Sequence, residues 1–108
     1  MMSHTSNFSD PSDKPYFYGR LLREEANKIL EKRNARDGLF LLRESVFEVG
    51  AYILSLCHNR QVQHYKIDRL DDGTVSIGRN GRSFIGPIEL IKHYQHEPNG
   101  LVTRPIHP

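Results

Sequence analysis

The sequence predicts an α+β fold, a central antiparallel β-sheet with one α-helix on each face. Three observations carry this reading. An amphipathic segment comes first, four short apolar runs split by turn residues follow, and a second amphipathic segment comes near the end.

The first helix is expected over Arg23–Lys32 (REEANKILEK). Ala26, Ile29, Leu30 and Arg33 recur at three- and four-residue spacing, and Glu24 and Glu25 stand where the helix dipole favours acids. Asp37-Gly38 makes a turn into a strand over Leu39–Arg43. Gly50 opens a second strand over Ala51–Cys57, and Asn59-Arg60 turns the chain into a third over Val62–Ile67. Asp71-Asp72-Gly73 precedes a fourth over Thr74–Ile77. Gly86-Pro87 starts the second helix, with Pro at its first position and Glu89 two residues on. Ile88, Leu90, Ile91 and Tyr94 give it an apolar face, and Pro98-Asn99-Gly100 stops it.

Length and composition bound the rest. A chain of 108 residues suits one domain with one core, and 37% apolar and 26% charged residues suit a globular one. Met1–Lys14 is polar and aperiodic and reads as a disordered leader; Pro15–Pro108 reads as the domain. One Cys makes no internal disulfide and no multi-Cys metal site, which fits a reducing, cytoplasmic setting. No apolar run approaches the ~20 residues of a transmembrane helix, and no signal peptide is visible. A formal net charge of +2 is too small for a nucleic-acid binder. The leader contributes −1, so the domain carries fourteen basic and eleven acidic side chains, or +3.

Arg43 is the residue that needs explaining. Side chains alternate along a strand, so Arg43 shares the face of Leu39 and Leu41, which otherwise wants burial. A buried unpaired charge costs several kcal/mol, and Arg does not shed its proton. Either Arg43 reaches solvent at the strand end or pairs with an acid such as Glu44, or it floors a pocket that awaits an anion. Its neighbours favour the pocket. Ser45 is next on the same face, and the loop to Gly50 can present amides and a hydroxyl. His64 and Lys66 share one face of their strand, while Tyr65 and Ile67 share the other. Arg23 opposes the dipole of its own helix, which hints at a role elsewhere.

Tyr16-Phe17-Tyr18-Gly19, Arg23-Glu24-Glu25-Ala26, Gly38-Leu39-Phe40-Leu41-Leu42-Arg43-Glu44-Ser45, Gly50-Ala51-Tyr52-Ile53-Leu54-Ser55, His64-Tyr65-Lys66 and Asn99-Gly100-Leu101 together resemble the Src homology 2 domain, in order and spacing. The resemblance runs from about Pro15 to Pro108. Pro15-Tyr16-Phe17-Tyr18-Gly19 and Leu54-Ser55-Leu56-Cys57-His58 look most like the first of the two such domains in Syk-family tyrosine kinases.

The resemblance implies a binding module for phosphotyrosine peptides, not an enzyme, with no cofactor, no metal and no catalytic residue. It assigns the phosphate to Arg43, with Arg23 from the first helix, the Ser45 hydroxyl, His64 as support for the buried arginine and Lys66 against the ring. It assigns an apolar pocket, for the residue three places after the phosphotyrosine, to Tyr65, Ile77, Tyr94, Gly100 and Leu101. The implied setting is a tyrosine kinase recruited to a phosphorylated receptor tail, such as an immunoreceptor tyrosine-based activation motif, with an adjacent second domain of the same kind.

Three departures from the family pattern stand out. Leu22 stands where many members place a Ser or Thr cap, so the cap comes from elsewhere or is missing. Val46-Phe47-Glu48-Val49 lacks the extra hydroxyls of many members, and Glu48 can repel a phosphate, which predicts a weaker or less enclosed pocket. Tyr16 stands where an opening Trp is usual.

Other constellations carry less. Cys57-His58 with His64 invites a metal or thiol reading, but a lone Cys in an apolar strand suits core packing. The basic stretch Arg79–Arg82 suits a solvated turn more than a lipid contact. The rival from another class is a general binder of anionic surfaces, lipid or nucleic acid, built on the same basic residues.

Overall fold

The computed structural model describes residues 10–78 and 81–108. Five strands form one sheet in the order β1 (Phe17–Arg20), β2 (Phe40–Glu44), β3 (Tyr52–His58), β4 (Gln61–Arg69) and β5 (Val75–Ile77). Helices α1 (Arg23–Lys32) and α2 (Pro87–His96) complete the fold.

Alternation along the central strands sorts two cores. Phe40, Leu42, Leu54, Leu56 and Ile67 join Leu90, Ile91 and Tyr94 of α2. Leu39, Leu41 and Cys57 join Ala26 and Leu30 of α1. Successive side chains on β2 therefore serve opposite helices, as a period of two requires. Cys57 is fully buried, and that burial pushes its thiol up to about 11, so it behaves as a small apolar side chain.

Two points differ from the sequence reading. First, a strand precedes α1, and the sheet is not wholly antiparallel. β1 runs parallel to β2, with Phe17 opposite Leu42, and the Leu42 amide donates to the Tyr16 carbonyl at 2.9 Å. Second, residues 10–14, read as part of the leader, are structured. Pro11–Asp13 forms a 3-10 turn capped by the Asp10 carboxylate, and Pro11 is buried. The rest of that leader, residues 1–9, lies outside the described residues, as do Arg79 and Asn80 of the basic stretch. As the Leu22 substitution implies, α1 has no side-chain cap at its start, and its entry is tied from elsewhere. The Leu22 amide donates to Glu25 Oε1 at 3.0 Å, one half of a capping box.

The β3–β4 hairpin closes on Asn59 (φ +53°) and Arg60 (φ +62°), both left-handed. A two-residue turn of this hand matches the twist of the flanking strands and favours Gly at its second position. Arg60 is exposed and bears a Cβ in a conformation that penalises one. Arg60→Gly should therefore stabilise the domain, by about 0.5–1 kcal/mol. Urea denaturation checks the sign; a loss of stability would show that the Arg60 side chain holds the turn.

Candidate functional site

Arg43 is the next-to-last residue of β2 and lies on the α1 side of the sheet, 4% exposed. It neither reaches solvent nor pairs with Glu44, whose side chain alternates to the other face. Its guanidinium is held by three neutral groups. Nε donates to Ser55 Oγ at 3.2 Å, Nη1 to the Leu21 carbonyl at 2.9 Å and Nη2 to His64 Nδ1 at 3.3 Å. These bonds use three of five N–H donors, so one N–H on each terminal nitrogen remains for an incoming acceptor. Burial, reinforced by the Arg23 charge, lowers the Arg43 pKa, which measures how poorly its charge is solvated.

His64 is the second member of this network. Its Nδ1 accepts from the Ser55 hydroxyl at 2.8 Å as well as from Arg43, and its Nε2 lies 3.0 Å from Asn27 Oδ1. Only the neutral ring with its proton on Nε2 satisfies all three contacts. Burial, then Arg43 and Arg23, pushes its pKa down to about 4. The register explains the assembly. Ser55 lies directly across from His64, and Ile53 lies between Arg43 and Lys66 on the neighbouring strands.

Arg23, Arg43, Ser45, His64 and Lys66 line one cavity of about 400 Å³, together with Phe47, Glu48 and Ile53. The structure thus brings together all five residues singled out for the anion site. The loop after β2 differs from expectation in one respect. The amides of Phe47 and Glu48 both donate to Ser45 Oγ, at 3.1 Å each, rather than being left free for an anion. The Ser45 hydroxyl keeps its own proton to donate. Lys66 Nζ contacts Glu48 Oε1 at 2.6 Å and Asp68 Oδ1 at 3.4 Å.

A second cleft of about 370 Å³ opens on the other side of β4. It contains Tyr65, Ile77, Tyr94, Gly100 and Leu101, the five residues expected of an apolar pocket, and adds Arg82, His93 and Asn99. The Tyr65 hydroxyl accepts from the Val102 amide at 3.0 Å and ties the chain after α2 to the central sheet.

The sequence reading missed Ser55, Asn27 and the Leu21 carbonyl as supports of Arg43. Ser55 carried a signal, a hydroxyl inside the apolar run Ile53-Leu54-Ser55-Leu56-Cys57. Asn27 carried another, one helical turn after Arg23 on the same face. The Leu21 carbonyl carried none.

A buried guanidinium satisfied by neutral groups keeps its full charge for something else, and this marks the domain as one that recognises anions. The kind of anion follows from the family. Residues 16–94 match the family model described as SH2 domain, and the chain belongs to that family. SH2 domains bind phosphotyrosine, so the chain is a phosphotyrosine-binding module. It is 42% identical over 98 residues to tyrosine-protein kinase SYK of Gallus gallus, covering 90% of this chain and 16% of that protein. It is 41% identical over 87 residues to tyrosine-protein kinase ZAP-70 of Homo sapiens, covering 81% and 14%. Growth factor receptor-bound protein 10 of Sus scrofa is 36% identical over 83 residues, covering 74% and 14%. The chain thus spans about a sixth or less of the length of these relatives.

The His64 contacts set a pH dependence. Its folded pKa lies near 4, below the ordinary 6.5, so the unfolded chain takes up this proton first. The stability associated with neutral His64 is fully present above pH 6.5 and is lost as pH falls from 6.5 towards 4. NMR titration of the ring should give a midpoint near 4. A midpoint near 6.5 would mean that the ring does not sit in this network.

Proposed function

We propose that the pocket floored by Arg43 holds the phosphate of a phosphotyrosine and that the cleft beside Tyr65 holds an apolar side chain three residues on. One observation carries the assignment. The Arg43 side chain is buried, charged and held only by Ser55, His64 and the Leu21 carbonyl, with two N–H groups left for a ligand.

The roles follow from position. Arg43 offers its remaining N–H groups from the floor, where a phosphoserine is too short to reach. Arg23 meets the phosphate from the start of α1, and the Ser45 hydroxyl donates from the loop. His64 orients Arg43, and the aliphatic stem of Lys66 lies along the ring. A phosphate carries −1.5 to −2 near neutral pH. Hydrogen bonds to charged groups contribute roughly 1.5–3 kcal/mol each, so these donors supply much of a micromolar affinity, about −8 kcal/mol. Beyond β4, Tyr65, Ile77, Tyr94, Gly100 and Leu101 receive the apolar side chain.

Similarity to SYK and ZAP-70 supports a further reading, that the domain recruits a cytoplasmic tyrosine kinase to a doubly phosphorylated receptor tail of the immunoreceptor activation type. A second SH2 domain on the same chain would raise the effective concentration for the second phosphotyrosine.

Calorimetric titration tests the assignment with one peptide, apolar at the third position after tyrosine, in phosphorylated and plain forms. Only the phosphorylated form should bind tightly. Equal affinities, or tighter binding to anionic vesicles, would overturn the reading in favour of a general anionic-surface binder. Arg43→Ala should cost at least about 2 kcal/mol of binding while circular dichroism stays native. Arg43→Lys should also bind poorly, because an ammonium keeps the charge but loses the planar fork. Normal binding by either variant would remove Arg43 from the floor of the site.

A further inference from the structure

The Lys66–Glu48 contact, shared with a neighbouring cleft that also holds Asp68, borders the Arg43 cavity. Both residues line it with Arg23, Arg43, Ser45 and His64. Lys66 Nζ lies 2.6 Å from Glu48 Oε1, and the hydrogen bond to Glu48 is the main cause that raises the Lys66 pKa. The loop is shaped to present this carboxylate. Ser45 Oγ accepts the amides of Phe47 and Glu48, and the Ala51 amide donates to the Glu48 carbonyl at 3.3 Å. The pocket thus holds three cations, Arg23, Arg43 and Lys66, and one carboxylate already bound to Lys66.

We propose that Glu48 is a built-in competitor for the phosphate, occupying Lys66 in the empty pocket and yielding it when a phosphotyrosine enters. The proposal rests on the phosphotyrosine reading and adds a residue that sets its strength. An incoming phosphate meets two free cations and one neutralised by Glu48. It gains Lys66 only when the Glu48 side chain swings away. Lys66 does not lose its place at that moment, because Asp68 Oδ1 stands 3.4 Å from the same nitrogen, outside the cavity lining. The exchange needs only side-chain rotation, since both Glu48 and Lys66 are about half exposed.

The consequence is a weaker, faster-releasing and less salt-sensitive site than three cations alone would give. The competition is electrostatic, so salt screens it. Calorimetric titration of wild type, Glu48→Gln, Lys66→Met and the double variant tests this with the phosphorylated peptide, the plain peptide serving as control. Glu48→Gln should bind the phosphopeptide roughly three- to fivefold tighter at low salt. The gain should shrink at roughly 0.5 M salt. In the Lys66→Met background, where the carboxylate has no ammonium to hold it in the pocket, the gain should fall below about twofold. Unchanged or weaker binding by Glu48→Gln would overturn the proposal. An undiminished gain without Lys66 would overturn it too, because that outcome assigns the effect to plain repulsion. If wild type does not distinguish the two peptides, the phosphotyrosine reading falls and this proposal with it.

Discussion

The fold is arranged around one buried cation. A guanidinium taken out of water loses solvation worth several kcal/mol, and it has no neutral form to retreat to. A carboxylate partner would offset that loss but would also cancel the charge. The domain offsets it with dipoles instead. Ser55, His64 and the Leu21 carbonyl each accept one N–H and leave the net charge of Arg43 intact. The dependence runs both ways. Burial, with the Arg43 and Arg23 charges added to it, keeps the His64 ring neutral, and only a neutral ring has an Nδ1 lone pair to accept from Arg43.

This cradle draws on four separate elements. β2 supplies the arginine, β3 the serine and β4 the histidine, while Asn27 of α1 holds the far ring nitrogen. Strand pairing alone brings the first three together, and α1 must dock on the same face before Asn27 closes the network. Leu30 and Ala26 bury against Leu39, Leu41 and Cys57 and fix that docking. The core packing of α1 and the orientation of Arg43 are therefore one problem. The same two-residue period places the second cleft. His64 and Lys66 face one side of β4 and Tyr65 the other, so an extended ligand crossing this strand meets a cationic cavity and then an apolar one.

Periodicity made much of this legible. The limits of α1 are those its pattern implies, and the turn at Asn59-Arg60 joins strands close to those read from alternation. The five expected members of each cavity were readable because they lie at fixed positions on regular elements, or in blocks shared with the family. β1 was not legible. Phe17-Tyr18-Gly19-Arg20 has no alternation, carries a Gly at φ +66°, and becomes a strand through parallel pairing with β2. The 3-10 turn at Pro11–Asp13 depends on burial of one proline, which polar composition conceals. The Leu21 carbonyl was invisible for a more general reason. A backbone acceptor carries no sequence signature, and this one serves a residue 22 positions away.

Charge placement completes the account. A formal charge of +2 on 108 residues looks close to neutral, yet it conceals a local excess at one cavity. Three cations converging without compensation would repel one another and attract any polyanion. Here the floor cation is insulated by neutral acceptors, and the rim cation is covered by Glu48 and Asp68. These two solutions differ because their tasks differ. A floor residue must keep its charge and its direction before any ligand arrives, since it is too deeply placed to rearrange. A rim residue can exchange one anion for another at little cost, because water and salt already share in its solvation. Burial thus decides which cation is fixed and which is exchangeable.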